Sequence, residues 1–365
     1  MNVKEALMTK RKLILEDGSV YEGIGFGSDN FQMGELIFQT GMCGYQEILS
    51  DLSYYGQIVM MTYPAIGNYG INRDDYESIS PKIFGFVVKE YCEEPSNFRS
   101  EMTLNEYMKL HDIPGIADID TREITRKIRD HGTLKAIMAN EDADVDAMVE
   151  MLRTTDLPKD GVQKVSTQKP FPIPSRGEKV VMVDIGTKFA VIREFNLRGC
   201  DLIVVPYNMS AEDILALRPD GVIYSGGPGA PADIPETVDA CRQLLGKLPI
   251  MGIGLGHEVI AEACGAKIVK MKVGHHGNSS PVRNLQKNKI EFTSQNHGYE
   301  IERDSLEGTG LIVTYEALND KSIEGCKHET YDILSLAFEP EASPGADDCT
   351  YLFDEFLAMM KKGEC

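Results

Sequence analysis

One short run constrains this chain more than any other: Pro249-Ile250-Met251-Gly252-Ile253-Gly254-Leu255-Gly256-His257-Glu258. An apolar strand enters a glycine-spaced turn and leaves it as a helix. A sharp turn of this kind pushes its apex side chain out above the sheet, and glycines two positions to either side relieve the crowding. Those flanking glycines are Gly252 and Gly256. The apex is Gly254, which has no side chain to present. Such a turn springs from a parallel sheet, and the surrounding sequence supplies one. Val180-Val181-Met182-Val183-Asp184 is an apolar run suited to a buried parallel strand. Further strands are expected over 201–206, 221–224 and 249–253, alternating with helical patterns over 189–197, 211–217 and 236–245. This alternation predicts a doubly wound α/β domain whose sites lie at the carboxyl ends of the strands.

A glycine-rich strand-to-helix turn can also bind a dinucleotide, but that fingerprint is G-x-G-x-x-G. His257 stands where its last glycine belongs, and no clear second strand ending in a ribose-binding acid follows. A nucleotide site is not expected here.

The N-terminal part reads differently. Lys12-Leu13-Ile14-Leu15-Glu16-Asp17-Gly18-Ser19 is a strand ending in an Asp-Gly hairpin signal. Strands follow at 35–40 and 57–62, with helical patterns over 103–110, 121–129 and 143–152. Lys169-Pro170-Phe171-Pro172-Ile173-Pro174-Ser175-Arg176-Gly177 carries three prolines, which hold it extended and exclude helix. The expected organisation is a β-rich domain over 1–165, a linker over 166–178, and the α/β domain over 179–365.

Composition narrows the function classes. A net charge of −20 opposes association with nucleic acid or an anionic membrane. No apolar run is long enough to span a bilayer, and the N-terminus lacks the apolar core of a signal peptide. The expected location is the cytoplasm. The eight cysteines include no C-x-x-C pair, so no zinc or thioredoxin-like motif is written. Adjacent His275 and His276 on a strand would point to opposite faces and not chelate together. No metal site is expected.

The elbow G-I-G-L-G-H-E resembles the G-I-C-L-G-H-Q elbow of class I glutamine amidotransferases. Ser225-Gly226-Gly227-Pro228-Gly229-Ala230-Pro231 and Phe338-Glu339-Pro340-Glu341-Ala342-Ser343-Pro344-Gly345 are similar to loops of one member, the carbamoyl-phosphate synthetase small subunit. Gly274-His275-His276-Gly277 and Gln295-Asn296-His297-Gly298-Tyr299 match it too. So do N-terminal segments, among them Gly44-Tyr45-Gln46-Glu47-Ile48-Leu49, Tyr63-Pro64-Ala65-Ile66-Gly67-Asn68-Tyr69-Gly70 and Gly115-Ile116-Ala117-Asp118-Ile119-Asp120-Thr121-Arg122. The resemblance covers almost the whole chain. It implies that small subunit's N-terminal domain followed by a flavodoxin-like amidotransferase domain.

The resemblance also implies what has been removed. Glutamine hydrolysis needs a thiolate nucleophile, a base, an orienter for the base and oxyanion donors. Carried over by position, the nucleophile falls on Gly254 and the base on Glu339, while the orienter survives as Glu341. The glutamine-binding Gln is Glu258, and a serine of the N-terminal loop is Gly41. Positions still compatible with glutamine are Gly227, Gly229, Leu255, Asn296, Gly298 and Tyr299. Glu258, Glu339 and Glu341 are expected to converge on one acidic pocket, solvated and partly protonated in preference to metal-bound. Cys43 and Cys264 are the thiols to weigh as substitutes, and both read better as a tight-turn residue and a packed core thiol. His257 reads as structural.

Three readings remain open at this point. One is a non-hydrolysing partner of a large synthetase subunit that carries the ATP and magnesium, with no cofactor in this chain. Another is a pseudoenzyme that binds glutamine or a related small ligand. The last is an altered copy of an active glutaminase.

Overall fold

The computed structural model describes residues 9–361. The N-terminal stretch read above for a signal peptide therefore lies outside the described residues, as does Cys365. The chain divides into two compact units after Pro158.

The first unit is built on β1 (Lys10–Leu15), β2 (Val20–Gly27), β3 (Met33–Gln39), β4 (Gln57–Met61), β5 (Ala65–Ile66), β6 (Gly85–Val87), β7 (Glu90–Tyr91), β8 (Pro114–Ala117) and β9 (Leu134–Asn140). Helices α1 (Tyr45–Ser50), α2 (Leu104–Leu110), α3 (Thr121–His131) and α4 (Val145–Thr154) accompany them. The Asp-Gly hairpin forms as expected. Asp17 Oδ1 accepts from Ser19 N at 2.8 Å, and Gly18 takes a φ of 91°. Seven strands then close into a barrel in the order β1-β2-β8-β6-β4-β3-β9. Closure depends on pairing β1 with β9, which sets Leu13 opposite Met138. Phe26, Ile37, Tyr45, Val59, Phe86 and Tyr107 are among the buried residues of one core cluster of this unit. Thr103 caps α2 in a capping box with Glu106, satisfying amides that the first turn leaves open.

The second unit holds β10 (Phe171–Ile173), β11 (Lys179–Asp184), β12 (Asp201–Pro206), β13 (Gly221–Tyr224), β14 (Ile250–Ile253), β15 (Ile268–Asn284), β16 (Lys289–Ile301), β17 (Leu311–Ala317), β18 (Ile323–His328) and β19 (Ile333–Leu336). Its helices are α5 (Gly161–Val165), α6 (Phe189–Leu197), α7 (Ala211–Ala216), α8 (Pro235–Leu244), α9 (Leu255–Ala263) and α10 (Tyr351–Lys361). One sheet runs β10-β12-β11-β13-β14-β19-β18-β17-β15-β16. The central five, β12 to β19, are parallel, and antiparallel strands extend both sides.

Alternation along β11 shows why the sheet is covered twice. Val180 and Met182 pack with Phe195 of α6 and with Phe353 and Phe356 of α10. Val181 and Val183 pack with Ile214, Val238, Cys241, Val259 and Ile260 of α7, α8 and α9. Each strand residue buries its side chain on one face or the other, so the run is apolar throughout.

The expected linker is part of this sheet. Phe171–Ile173 pairs antiparallel with β12, and Val162 of α5 is buried in the core beneath α7 and α8. Residues 159–178 thus belong to the second unit, and the division falls earlier than the three prolines suggested. Proline lacks a ladder donor, so Pro172 is tolerated because β10 is an edge strand. Among the described residues, no helix is long and apolar enough to cross a membrane.

Candidate active site

The elbow forms as its glycines require. Gly254 adopts φ 54° and ψ −119° between β14 and α9, a region that a side chain enters only under strain. Its amide donates to Leu336 O at 2.8 Å, and the Gly256 amide donates to Ser225 O at 3.1 Å. A Cβ on Gly252 would lie 2.5 Å from Gly256 O, and one on Gly256 only 2.2 Å from Tyr224 O. Both flanks are closed to any other residue. The apex is not. A Cβ on Gly254 would meet only Gly226 Cα, at an ordinary 3.5 Å. The backbone of a nucleophile elbow is present and the space for a side chain is open.

Two more loops come from the carboxyl ends of neighbouring strands. After β13, Gly227 lies so close to the loop after β11 that a Cβ would fall 1.9 Å from Ile185 O. Ser225 Oγ accepts from Ile185 N at 3.0 Å and ties the two loops together. Gly229 takes a φ of 85°, and its neighbour Ala230 N donates to Asp233 Oδ2 at 3.1 Å. After β11, Asp184 Oδ1 accepts from Gly186 N and Thr187 N at 3.1 and 2.9 Å. This turn delivers Lys188 as the residue before α6.

Lys188 is the residue that sequence reasoning missed. It is buried, and its Nζ donates to Glu339 Oε2 at 2.7 Å. The same ammonium forms an ion pair with Glu341 Oε1 at 3.1 Å. Glu339 is held from behind, its amide donating to Ser294 O of β16 at 2.9 Å. Burial raises the Glu341 carboxyl above its ordinary range, against the opposing pull of Lys188. A proton on Glu341 would leave one carboxylate matched to one ammonium. The signal that could have found Lys188 is its place just after a parallel strand, where sites of doubly wound sheets collect.

The expected three-carboxylate pocket is therefore corrected. Glu339 and Glu341 converge on Lys188, whereas the neighbouring charge that bears on Glu258 of α9 is that of Glu262, one turn further along. Glu258 is buried, its Oε2 has no hydrogen bond, and burial pushes its carboxyl up to about 8. Burial thus favours its neutral form. A protonated carboxyl offers one donor and one acceptor, much as the amide of glutamine does.

The remaining candidates have the following surroundings. Leu255 opens α9, buried against Gly227. Asn296 Oδ1 faces His276 Nδ1 at 2.7 Å across the β15–β16 ladder. A Cβ on Gly298 would meet nothing within 4 Å, and Tyr299 O faces His297 Nδ1 at 2.9 Å. His257 is a core histidine, with Nδ1 2.9 Å from Ser335 Oγ and its basicity lowered to about 4 by burial. Cys264 ends α9, and burial pushes its thiol up to about 11, which leaves it protonated and unreactive. Gly41 and Cys43 lie in the first unit, on the loop after β3. Gly41 N donates to Gln39 Oε1 at 2.8 Å, and Cys43 is exposed.

Comparison with known proteins agrees with this geometry. The family described as carbamoyl-phosphate synthase small chain, CPSase domain, matches residues 13–138. Glutamine amidotransferase class-I matches residues 181–359. The chain is 53% identical over 354 residues to the carbamoyl phosphate synthase small chain of Oceanobacillus iheyensis, covering 97% of each. It is 52% identical over 355 residues to the carbamoyl phosphate synthase pyrimidine-specific small chain of Bacillus subtilis, again covering 97% of each. A third relative, the small chain of Bacillus caldolyticus, is 53% identical over 359 residues, covering 97% of this chain and 99% of its own. With both of its domains matched and its relatives aligned almost end to end, this chain belongs to the carbamoyl phosphate synthase small chain family.

Proposed function

We propose that this chain is a non-hydrolysing small subunit: it docks on a large synthetase subunit and supports carbamoyl phosphate formation from free ammonia. The observation that carries the reading is Gly254. The apex has the backbone of a nucleophile elbow, room for a side chain, and none there. Glu339, in the position that the family resemblance gives to the base, is engaged by Lys188. Loss of a triad nucleophile alone costs about a million-fold in turnover.

On this reading the ATP and magnesium chemistry belongs to the large subunit, and this chain holds no catalytic cofactor. The complex is cytoplasmic and binds neither nucleic acid nor membrane, in keeping with the charge of −20. The Bacillus subtilis relative is named pyrimidine-specific, which favours pyrimidine over arginine synthesis as the consumer of the product.

The test is carbamoyl phosphate synthesis by this chain reconstituted with a large subunit. Rates supported by ammonium and not by glutamine are expected. Glutamine-dependent ammonia release at rates ordinary for such subunits would refute the proposal, as would failure to bind a large subunit.

One observation favours a second reading, in which the site holds glutamine or a related ligand without turning it over. The close backbone approach at Gly227 is intact, with a Cβ there falling 1.9 Å from Ile185 O. Thermal stabilisation that grows with glutamine concentration would support this. A melting temperature unmoved across amino acids would remove it.

A further inference from the structure

His275 and His297 stand directly opposite one another on β15 and β16, with ring centroids 5.1 Å apart. His276 turns away towards Asn296. Both rings also reach Glu324 of β18, which is fully buried. His275 Nδ1 is 3.1 Å from Glu324 Oε1, and His297 Nε2 is 3.6 Å from Glu324 Oε2.

The other ring atoms show how the hydrogens are placed. His297 Nδ1 faces Tyr299 O at 2.9 Å, and a peptide carbonyl can only accept, so Nδ1 carries a hydrogen. Asp320 Oδ2 holds His275 Nε2 in the same way at 2.8 Å. In their neutral forms, both rings therefore aim a lone pair at Glu324. His297 Nε2 is buried and has no hydrogen bond. Two lone pairs facing a buried carboxylate require positive charge in the gaps. Two protons can supply it, and so can one divalent ion with the same total charge.

We propose that His275, His297 and Glu324 form a binding site for a divalent ion of the zinc class. One ligand atom from each residue falls within 4.8 Å of the others. The Glu324 carboxylate sets one oxygen beside each ring nitrogen, Oε1 at 3.1 Å from His275 Nδ1 and Oε2 at 3.6 Å from His297 Nε2, and nitrogen and carboxylate oxygen are both ordinary zinc ligands. Every ligand has an outer partner. Asp320 orients His275, the Tyr299 carbonyl orients His297, and Glu324 accepts from Ser322 Oγ at 2.7 Å and Gln295 Nε2 at 2.8 Å. Carboxylate–histidine–metal arrangements of this kind fix the ring and raise its basicity as a ligand. Two imidazoles with one carboxylate suit zinc and not magnesium or calcium, which take oxygen ligands. The role is structural: the ion pins the β15–β16 hairpin to β18. Helix α9 packs against both β15 and β16, which places the site beside the elbow helix.

The experiment uses the full chain, stripped with a chelator and titrated calorimetrically with zinc chloride. One equivalent is expected to bind, with a higher melting temperature and no competition from magnesium. Cobalt is expected to give the spectrum of a nitrogen–oxygen site without a thiolate-to-metal band, which separates this site from surface thiols such as Cys43. H297Q is expected to lower zinc affinity at least 100-fold, and D320N about 10- to 100-fold. Asp320 is half-exposed, so D320N carries the test if H297Q does not fold. Absence of zinc binding, a thiolate band, or unchanged affinity in D320N would overturn the assignment and leave two protons in the gaps.

Discussion

Lys188 Nζ stands 2.7 Å from Glu339 Oε2, joining the turn after β11 to the turn after β19 across 151 positions of sequence. Both side chains are buried, and Glu341 completes the group from the other side at 3.1 Å. A single ammonium thus serves two carboxylates at the end of the parallel sheet.

Removing that ammonium should be costly. Breaking a buried pair by deleting one partner leaves an uncompensated charge, which costs about 3–5 kcal/mol. K188M is expected to lose stability on that scale in urea unfolding. The double variant K188M/E339Q is expected to recover much of the loss, because fewer buried charges remain. Equal stability of the two variants would show that the pair is not coupled.

Placing a thiol at the apex tests the elbow. G254C has room for its Cβ, yet must hold a φ of 54°, which costs about 1–3 kcal/mol. The variant is expected to fold with reduced stability and to expose a thiol that alkylates readily. Alone it should not hydrolyse glutamine. Combined with E339H it is expected to release ammonia from glutamine at a measurable rate, followed by coupled assay.

The flanks should behave differently from the apex. A Cβ at position 256 would fall 2.2 Å from a backbone oxygen, which no rotamer change relieves. G256A is expected to cost about 3 kcal/mol or more, at the upper end of overpacking effects. G254A should cost less. The ordering of their urea midpoints is the readout.

Glu258 predicts a pH dependence. Burial raises its folded value to about 8 from the ordinary 4.5, so between those limits this group binds more protons in the folded chain than in the unfolded one. Stability from this group therefore falls as pH rises from about 4.5 to about 8, and is level above that. E258Q should remove the slope. Its gain in melting temperature is expected to be small at pH 5 and largest at pH 8, corresponding to on the order of a few kcal/mol. An equal gain at both pH values would show that Glu258 is ionised when buried.

Much of this was legible in the residues. Val180 to Asp184 reads as a buried strand because consecutive apolar side chains suit a sheet covered on both faces, as the two cores flanking β11 show. The elbow was legible because Gly252 and Gly256 answer a local steric demand set within a few residues and one neighbouring strand. Barrel closure was not, since the pairing of Leu13 with Met138 leaves no trace in either strand. The three prolines were read correctly as extended chain, but extension does not say whether a segment spans a gap or edges a sheet.

The bare apex of the elbow is a matter of residue identity alone: glycine at position 254 carries no sulfur whatever surrounds it. Charge is different, because it depends on neighbours that the chain order hides. Three glutamates looked like one acidic pocket until folding gave two of them to Lys188 and buried the third, which burial pushes towards its neutral form. Chemistry held within one side chain, and sterics between adjacent residues, can be read along the chain. Ionisation and pairing cannot, because burial and long-range contacts exist only once the strands have assembled.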